Sequence, residues 1–126
     1  MKRVLLLNPP ADPPVSRDYY CGHFTKGRYY WPQIDLLVMS GMLAGHYEVQ
    51  VLDAVVEDLT PDETHARIAA LSPDAVVAVT ASVSWSGDMA FLSRLKETHP
   101  LPILVSGDYP RAEPQAVLAH HPAIDA

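Results

Sequence analysis

A chain of 126 residues, 48% apolar and 19% charged, has the composition of one folded globular domain and lies well outside the low-hydrophobicity regime of disorder. Its formal net charge of −6 works against sequence-independent binding to nucleic acid or anionic lipid, since both need a basic surface that displaces counterions. The single cysteine, Cys21, excludes an intramolecular disulfide, a Cys-rich zinc site and a self-contained iron–sulfur cluster, and suits a reducing, cytoplasmic setting.

Met1-Lys2-Arg3 is followed by the apolar run Val4 to Leu7, which stops at Asn8-Pro9-Pro10, too short for a signal core or a membrane span. The spacing predicts instead a first strand over Val4 to Asn8, buried on both faces. Gln33 to Gly45, with Ile34, Leu36, Leu37, Val38, Met39, Met42 and Leu43, predicts a first helix, largely buried and stopped by Gly45. Tyr47 to Val51 alternates apolar and polar, the pattern of a second strand at a sheet edge. Thr60-Pro61-Asp62-Glu63 is a capping box with proline at the first helical position, so a helix runs from Pro61 to about Leu71. Asp74 to Val79 is an unbroken apolar run, a third and central strand. Ser86 to Thr98 places Met89, Leu92 and Leu95 on one face and ends before Pro100, which predicts a third helix. Ile103 to Ser106 is a fourth strand, and Glu113 to His121 a short fourth helix. Strands separated by helices define an α/β, doubly wound, Rossmann-like parallel sheet, and the edge character of the second strand gives the order 2-1-3-4. The apolar fourth strand would be an unprotected edge, and Ala123-Ile124-Asp125-Ala126 has the character of a truncated fifth strand. The 1–126 unit is therefore expected to be a fragment of a longer protein.

Ligands of such sheets bind at the carboxyl ends of the strands, near the point where strand order reverses. Three loops lie there. The first, Asn8 to Pro32, runs for about two dozen residues, where a few is usual. It carries Tyr19, Tyr20, Phe24, Tyr29, Tyr30 and Trp31 with Arg17, Lys26, Arg28 and His23, a mixture that suits a large flat partner or another domain. An Ω-loop packed on its own side chains is the alternative. The second loop, Thr80 to Ser86, sets hydroxyls at alternate positions before a helix, able to hold a phosphate or carboxamide, while Ser84 or Ser86 taken alone is a helix cap. The third, Ser106 to Arg111, has Gly107 just past a strand, either a point of close ligand approach or a plain turn.

No catalytic residue or metal ligand is assigned. His23, His65, His99, His120 and His121 lack metal-binding spacing and are expected at the surface. Cys21 has nothing to activate it as a nucleophile. The phosphate-binding glycine motifs of dinucleotide and triphosphate folds are missing, as is the acidic cluster of a phosphorylated receiver domain.

Taken together, Val4-Leu5-Leu6-Leu7-Asn8-Pro9-Pro10, Leu52-Asp53-Ala54, Thr80-Ala81-Ser82, Ser106-Gly107 and the closing Pro122-Ala123-Ile124-Asp125 resemble the N-terminal domain of cobalamin-dependent radical S-adenosylmethionine enzymes. That family includes methyltransferases, anaerobic magnesium-protoporphyrin ester cyclases and hopanoid-modifying enzymes. The resemblance runs the whole chain and implies a cobalamin-binding domain, with Asn8 and Pro9 lining the corrin side, Thr80 and Ser82 contacting the buried nucleotide tail, and Gly107 and Pro110 shaping the far wall. It also implies that a following barrel of the parent chain carries Cys-x-x-x-Cys-x-x-Cys for a [4Fe–4S] cluster and S-adenosylmethionine and acts on a small-molecule substrate. This unit alone would not be an enzyme. The Asp-x-His-x-x-Gly cobalamin signature is missing, so the cobalt would lack a protein imidazole from that motif. The alternative is a Rossmann-like docking domain that has lost its ligand; a flavodoxin-like flavin binder would need a phosphate loop after the first strand.

Overall fold

A computed structural model describes residues 1–18, 22–25 and 32–126. In chain order its elements are β1 (Arg3–Asn8), β2 (Val15–Ser16), β3 (His23–Phe24), α1 (Ile34–Leu43), β4 (Glu48–Asp53), α2 (Pro61–Leu71), β5 (Ala75–Thr80), α3 (Trp85–Thr98), β6 (Ile103–Gly107), α4 (Asp108–Ala112) and α5 (Pro114–His120). Four strands form an all-parallel sheet in the order β4-β1-β5-β6, while β2 and β3 pair antiparallel in a separate two-stranded ribbon inside the long first loop. The sequence reading missed this ribbon. With its two strands left out of the count, the sheet has the expected 2-1-3-4 arrangement.

Side chains alternate across a strand, so one strand can feed two cores. Leu5 and Leu7 of β1, with Leu52, Val76, Ala78 and Ile103, pack against Ile68 of α2 and Met89, Leu92 and Leu95 of α3. Val4 and Leu6, with Val79, turn the other way onto Leu36 of α1. This two-sided burial explains the continuous apolar run in β1 and β5. The capping box is formed: Thr60 Oγ1 accepts from Glu63 N at 3.2 Å, and Thr60 N donates to Glu63 Oε2 at 2.8 Å.

Three expectations need correction. Helix α1 is not largely buried. Only Leu36 is fully covered, while Ile34, Leu37, Val38 and Met42 face solvent, because a helix apolar all round packs only one side on the sheet. A short helix, α4, follows β6 directly where a plain turn was an alternative. Finally, His65 is not on the surface: it is buried between α2 and α3, 4.4 Å from the Phe91 ring, and neither ring nitrogen has a hydrogen-bond partner. Beyond α5, Asp125 N donates to Ile103 O at 2.8 Å and Val105 N to Ala126 O at 2.9 Å, so the last residues lie along the β6 edge where a further strand was expected.

The environment of His65 sets a pH dependence. Burial holds its imidazole below the ordinary value of 6.5, the Arg94 and His99 charges lower it further, and Asp62 opposes them. A base whose folded pKa is depressed contributes stability that is complete above the unfolded value and is lost as pH falls through the folded one. Wild-type stability is therefore expected to drop as pH falls below about 6.5. A His65→Leu variant should lack that component, which is read from urea midpoints of both proteins measured between pH 7.5 and pH 5.

Candidate functional site at the carboxyl edge of the sheet

The reversal of strand order lies between β1 and β5, because the helix after β1 packs on one face of the sheet and the helix after β5 on the other. The chain itself fills this point. Arg17, from the long first loop, is 2% exposed. Its guanidinium donates to Asp88 Oδ1 at 2.7 Å and Oδ2 at 3.3 Å, to Asn8 Oδ1 at 2.8 Å and to the Pro9 carbonyl at 2.8 Å. These bonds use four of the five N–H groups of the guanidinium, a planar fork matched to a carboxylate and two further oxygens.

The network continues on both sides. Asn8 Nδ2 donates to Asp53 Oδ1 at 2.8 Å, and that oxygen also accepts from the amides of Val55 and Val56 as the chain turns out of β4. Asp88 accepts further from Ser84 Oγ at 2.7 Å and Ala81 N at 3.3 Å. Asp53, Asn8, Arg17, Asp88 and Ser84 thus link the ends of β4, β1 and β5 to the first turn of α3. Ser84 stands at the N-cap position of α3, yet its hydroxyl makes no cap bond and is used on Asp88. The Gln33 side-chain amide donates to the Arg17 carbonyl and ties the loop to the start of α1.

A second tie lies next to it. Asp108 at the start of α4 accepts from Ser82 N and Ser82 Oγ, both at 2.8 Å, from Tyr109 N at 2.7 Å and from Gly22 N at 3.3 Å. Burial raises the pKa of this carboxyl, but the hydrogen bonds from Ser82, Gly22 and Tyr109 together outweigh it and hold the group below the ordinary carboxylate value. Gly22 must be glycine for space, since a Cβ there would sit 2.2 Å from the Ala81 Cβ. Gly107 must be glycine for two reasons: its φ is +157°, and a Cβ would lie 2.2 Å from the Thr80 carbonyl oxygen.

The six residues named from the sequence therefore separate into groups. Asn8 and Pro9 hold Arg17. Thr80 is fully buried, and its hydroxyl donates to the Ser106 carbonyl at 3.2 Å beside Gly107. Ser82 is exposed and bonded to Asp108. Pro110 and Gly107 line a cavity of about 270 Å³ on the outer side of β6, with Val105, Leu118 and Ala126. None of the six lines a larger groove at this edge, which encloses about 680 Å³. That groove runs between the Pro10–Val15 segment with Phe24, the Asp58–Pro61 turn, and the start of α3 from Val83 to Asp88 with Phe91. Its walls are apolar, with hydroxyls from Thr60, Ser84 and Ser86 and carboxylates from Asp12 and Asp58. Among its described lining residues there is no lysine, arginine or histidine to hold a phosphate.

Sequence reasoning missed Arg17 and Asp88 as a pair, and Asp53 and Asp108 as anchors. In the sequence alone, Leu52-Asp53-Ala54 carries only a family resemblance. Its physical content is an aspartate that closes a turn and aims the Asn8 amide. The aromatic residues Tyr19, Tyr20, Tyr29, Tyr30 and Trp31, together with Cys21, Lys26 and Arg28, lie outside the described residues. Among the described residues, no three His, Cys, Asp or Glu side chains are grouped to hold a metal ion, and no helix is long and apolar enough to cross a membrane. Compared with known proteins, the chain matches no family model, no curated protein and no solved structure.

Proposed function

We propose that this chain is a cobalamin-binding module of a radical S-adenosylmethionine enzyme, with the 680 Å³ groove at the carboxyl edge as its main contact with the cofactor. The groove is the observation that carries this reading. It lies beside the strand-order reversal, where doubly wound sheets take ligands, and it pairs apolar walls with hydroxyls and carboxylates. Such a lining suits a large ring system rimmed by neutral amides. Asn8 and Thr80 suit the cofactor less well than the resemblance implies, because both are buried and their polar atoms are used by the protein. Ser86 is the better placed hydroxyl, since it is exposed on the groove, whereas those of Ser84 and Thr60 are engaged by Asp88 and Glu63. Bound cobalamin would supply methyl transfer or one-electron chemistry, and this chain would hold and shield it for a barrel that carries the [4Fe–4S] cluster, S-adenosylmethionine and the small-molecule substrate. A cytoplasmic location belongs to the same reading.

One observation favours the second reading, a docking domain without a ligand: Arg17 fills the reversal point, and every polar contact described around it is internal. Hydroxocobalamin separates the two. The chain is expected to retain one cobalt after desalting, with a shifted visible spectrum. Gly87→Trp should abolish retention with circular dichroism unchanged, because Gly87 lines the groove and its missing Cβ faces open space. Wild-type protein that retains no cobalt sinks the cobalamin reading and leaves the docking reading standing.

A further inference from the structure

We propose that the outward face of α1 is the contact surface of a two-fold homodimer of this chain. Ile34, Leu37, Val38 and Met42 keep 65%, 61%, 56% and 73% of their surface in solvent. Their spacing of three, four and eight residues sets them in one stripe along the helix. On the other side of the same helix Leu36 is buried, with Met39 and Leu43 against the sheet, so the stripe is surplus to this chain's own core.

The exposed stripe amounts to on the order of 500 Å² of apolar surface, at the upper end of what a monomer carries as its largest patch. Each partner of a standard interface contributes about 800 Å². Tyr47, whose amide donates to the Leu43 carbonyl at the end of α1, is 39% exposed, and Val51, on the same face of β4 as the Val49 that packs with Leu36, is 50% exposed. Both add apolar area on the α1 side of the sheet, so the available area approaches what a stable dimer needs.

The chemistry of the patch selects a copy of itself. Asp35 in the first turn is the one charged side chain of α1, and from Leu36 to Gly45 there is none, so most of the stripe offers nothing to a partner that reads charge. A two-fold axis needs only one self-complementary patch, and the same stripe laid antiparallel on itself sets opposed helix dipoles side by side. Gly41 lies within this stretch, and no atom comes within 4 Å of the position a Cβ would take, which leaves room for a second helix backbone to approach.

Sedimentation velocity tests this directly. The chain is expected to move reversibly from 13.8 kDa to twice that mass as concentration rises through the micromolar range, and the association should persist in 0.5 M salt because it is apolar. Leu37→Glu and Met42→Glu should each weaken it at least about thirtyfold while circular dichroism stays unchanged. Leu118→Glu on α5, where the leucine is 47% exposed, should leave it unaltered. A chain that stays monomeric up to about 0.5 mM overturns the proposal. So does a dimer that survives both α1 substitutions or that Leu118→Glu dissolves.

Discussion

Arg17→Ala is expected to destabilise the chain by about 3–5 kcal/mol, a large share of the roughly 5–15 kcal/mol that holds a domain of this size together. The Asp88 carboxylate is 1% exposed and the Arg17 guanidinium fully covered, so removing the cation leaves a buried charge with only Ser84 Oγ and Ala81 N to support it. The Asn8 side-chain oxygen loses its donor in the same step. Asp88→Ala should cost a comparable amount for the mirror-image reason. A double replacement, Arg17→Met with Asp88→Leu, is expected to recover most of the loss, since apolar groups of similar volume often substitute for a buried pair at little cost. Urea midpoints of the three variants check this, and additive losses in the double variant would show that the two side chains do not act as a pair.

The second large effect is at Gly107. Gly107→Ala is expected to cost about 3 kcal/mol or more, because the left-handed backbone disfavours a side chain and the new methyl would meet the Thr80 carbonyl 2.2 Å away. That carbonyl belongs to the β5 backbone and cannot swing aside as a flexible side-chain tip would. The strain should open the carboxyl ends of β5 and β6, and with them the Thr80 hydroxyl bond to Ser106. Hydrogen exchange should speed up at Thr80 and Gly107 beyond what global destabilisation accounts for, and a midpoint within experimental error of wild type would contradict the argument.

Much of the architecture is legible in the sequence, for physical reasons particular to each element. Val4 to Leu7 and Ala75 to Val79 are continuously apolar because both sheet faces are covered, and that signal is strong. Thr60 to Glu63 writes a helix start in four residues. By contrast, the two-residue strands β2 and β3 are too short to show a period, and α4 has five residues with no apolar face of its own. The apolar α1 segment announces a helix but not which side is covered, because uniform apolarity carries no direction. The candidate site was legible as a set of loops and no further. Arg17 and Asp88 are 71 positions apart, and an aspartate in the first turn of a helix looks like an ordinary partner for the helix dipole. Nothing local tells a buried ion pair from two unrelated surface charges.

The buried arginine also bears on how tightly anything could bind at the strand reversal. A molecule that must touch Asn8 has to displace a side chain already held by four hydrogen bonds, so only the fraction of molecules with the first loop lifted can receive it. Its apparent affinity falls by that fraction, about tenfold for each 1.4 kcal/mol of lifting. A ligand lying in the neighbouring groove escapes the penalty, since Pro10–Val15 and Phe24 form its wall with the loop in place. An occupant of the groove would thus meet the chain as it stands, whereas one reaching Asn8 would first have to lift Arg17 from its four partners.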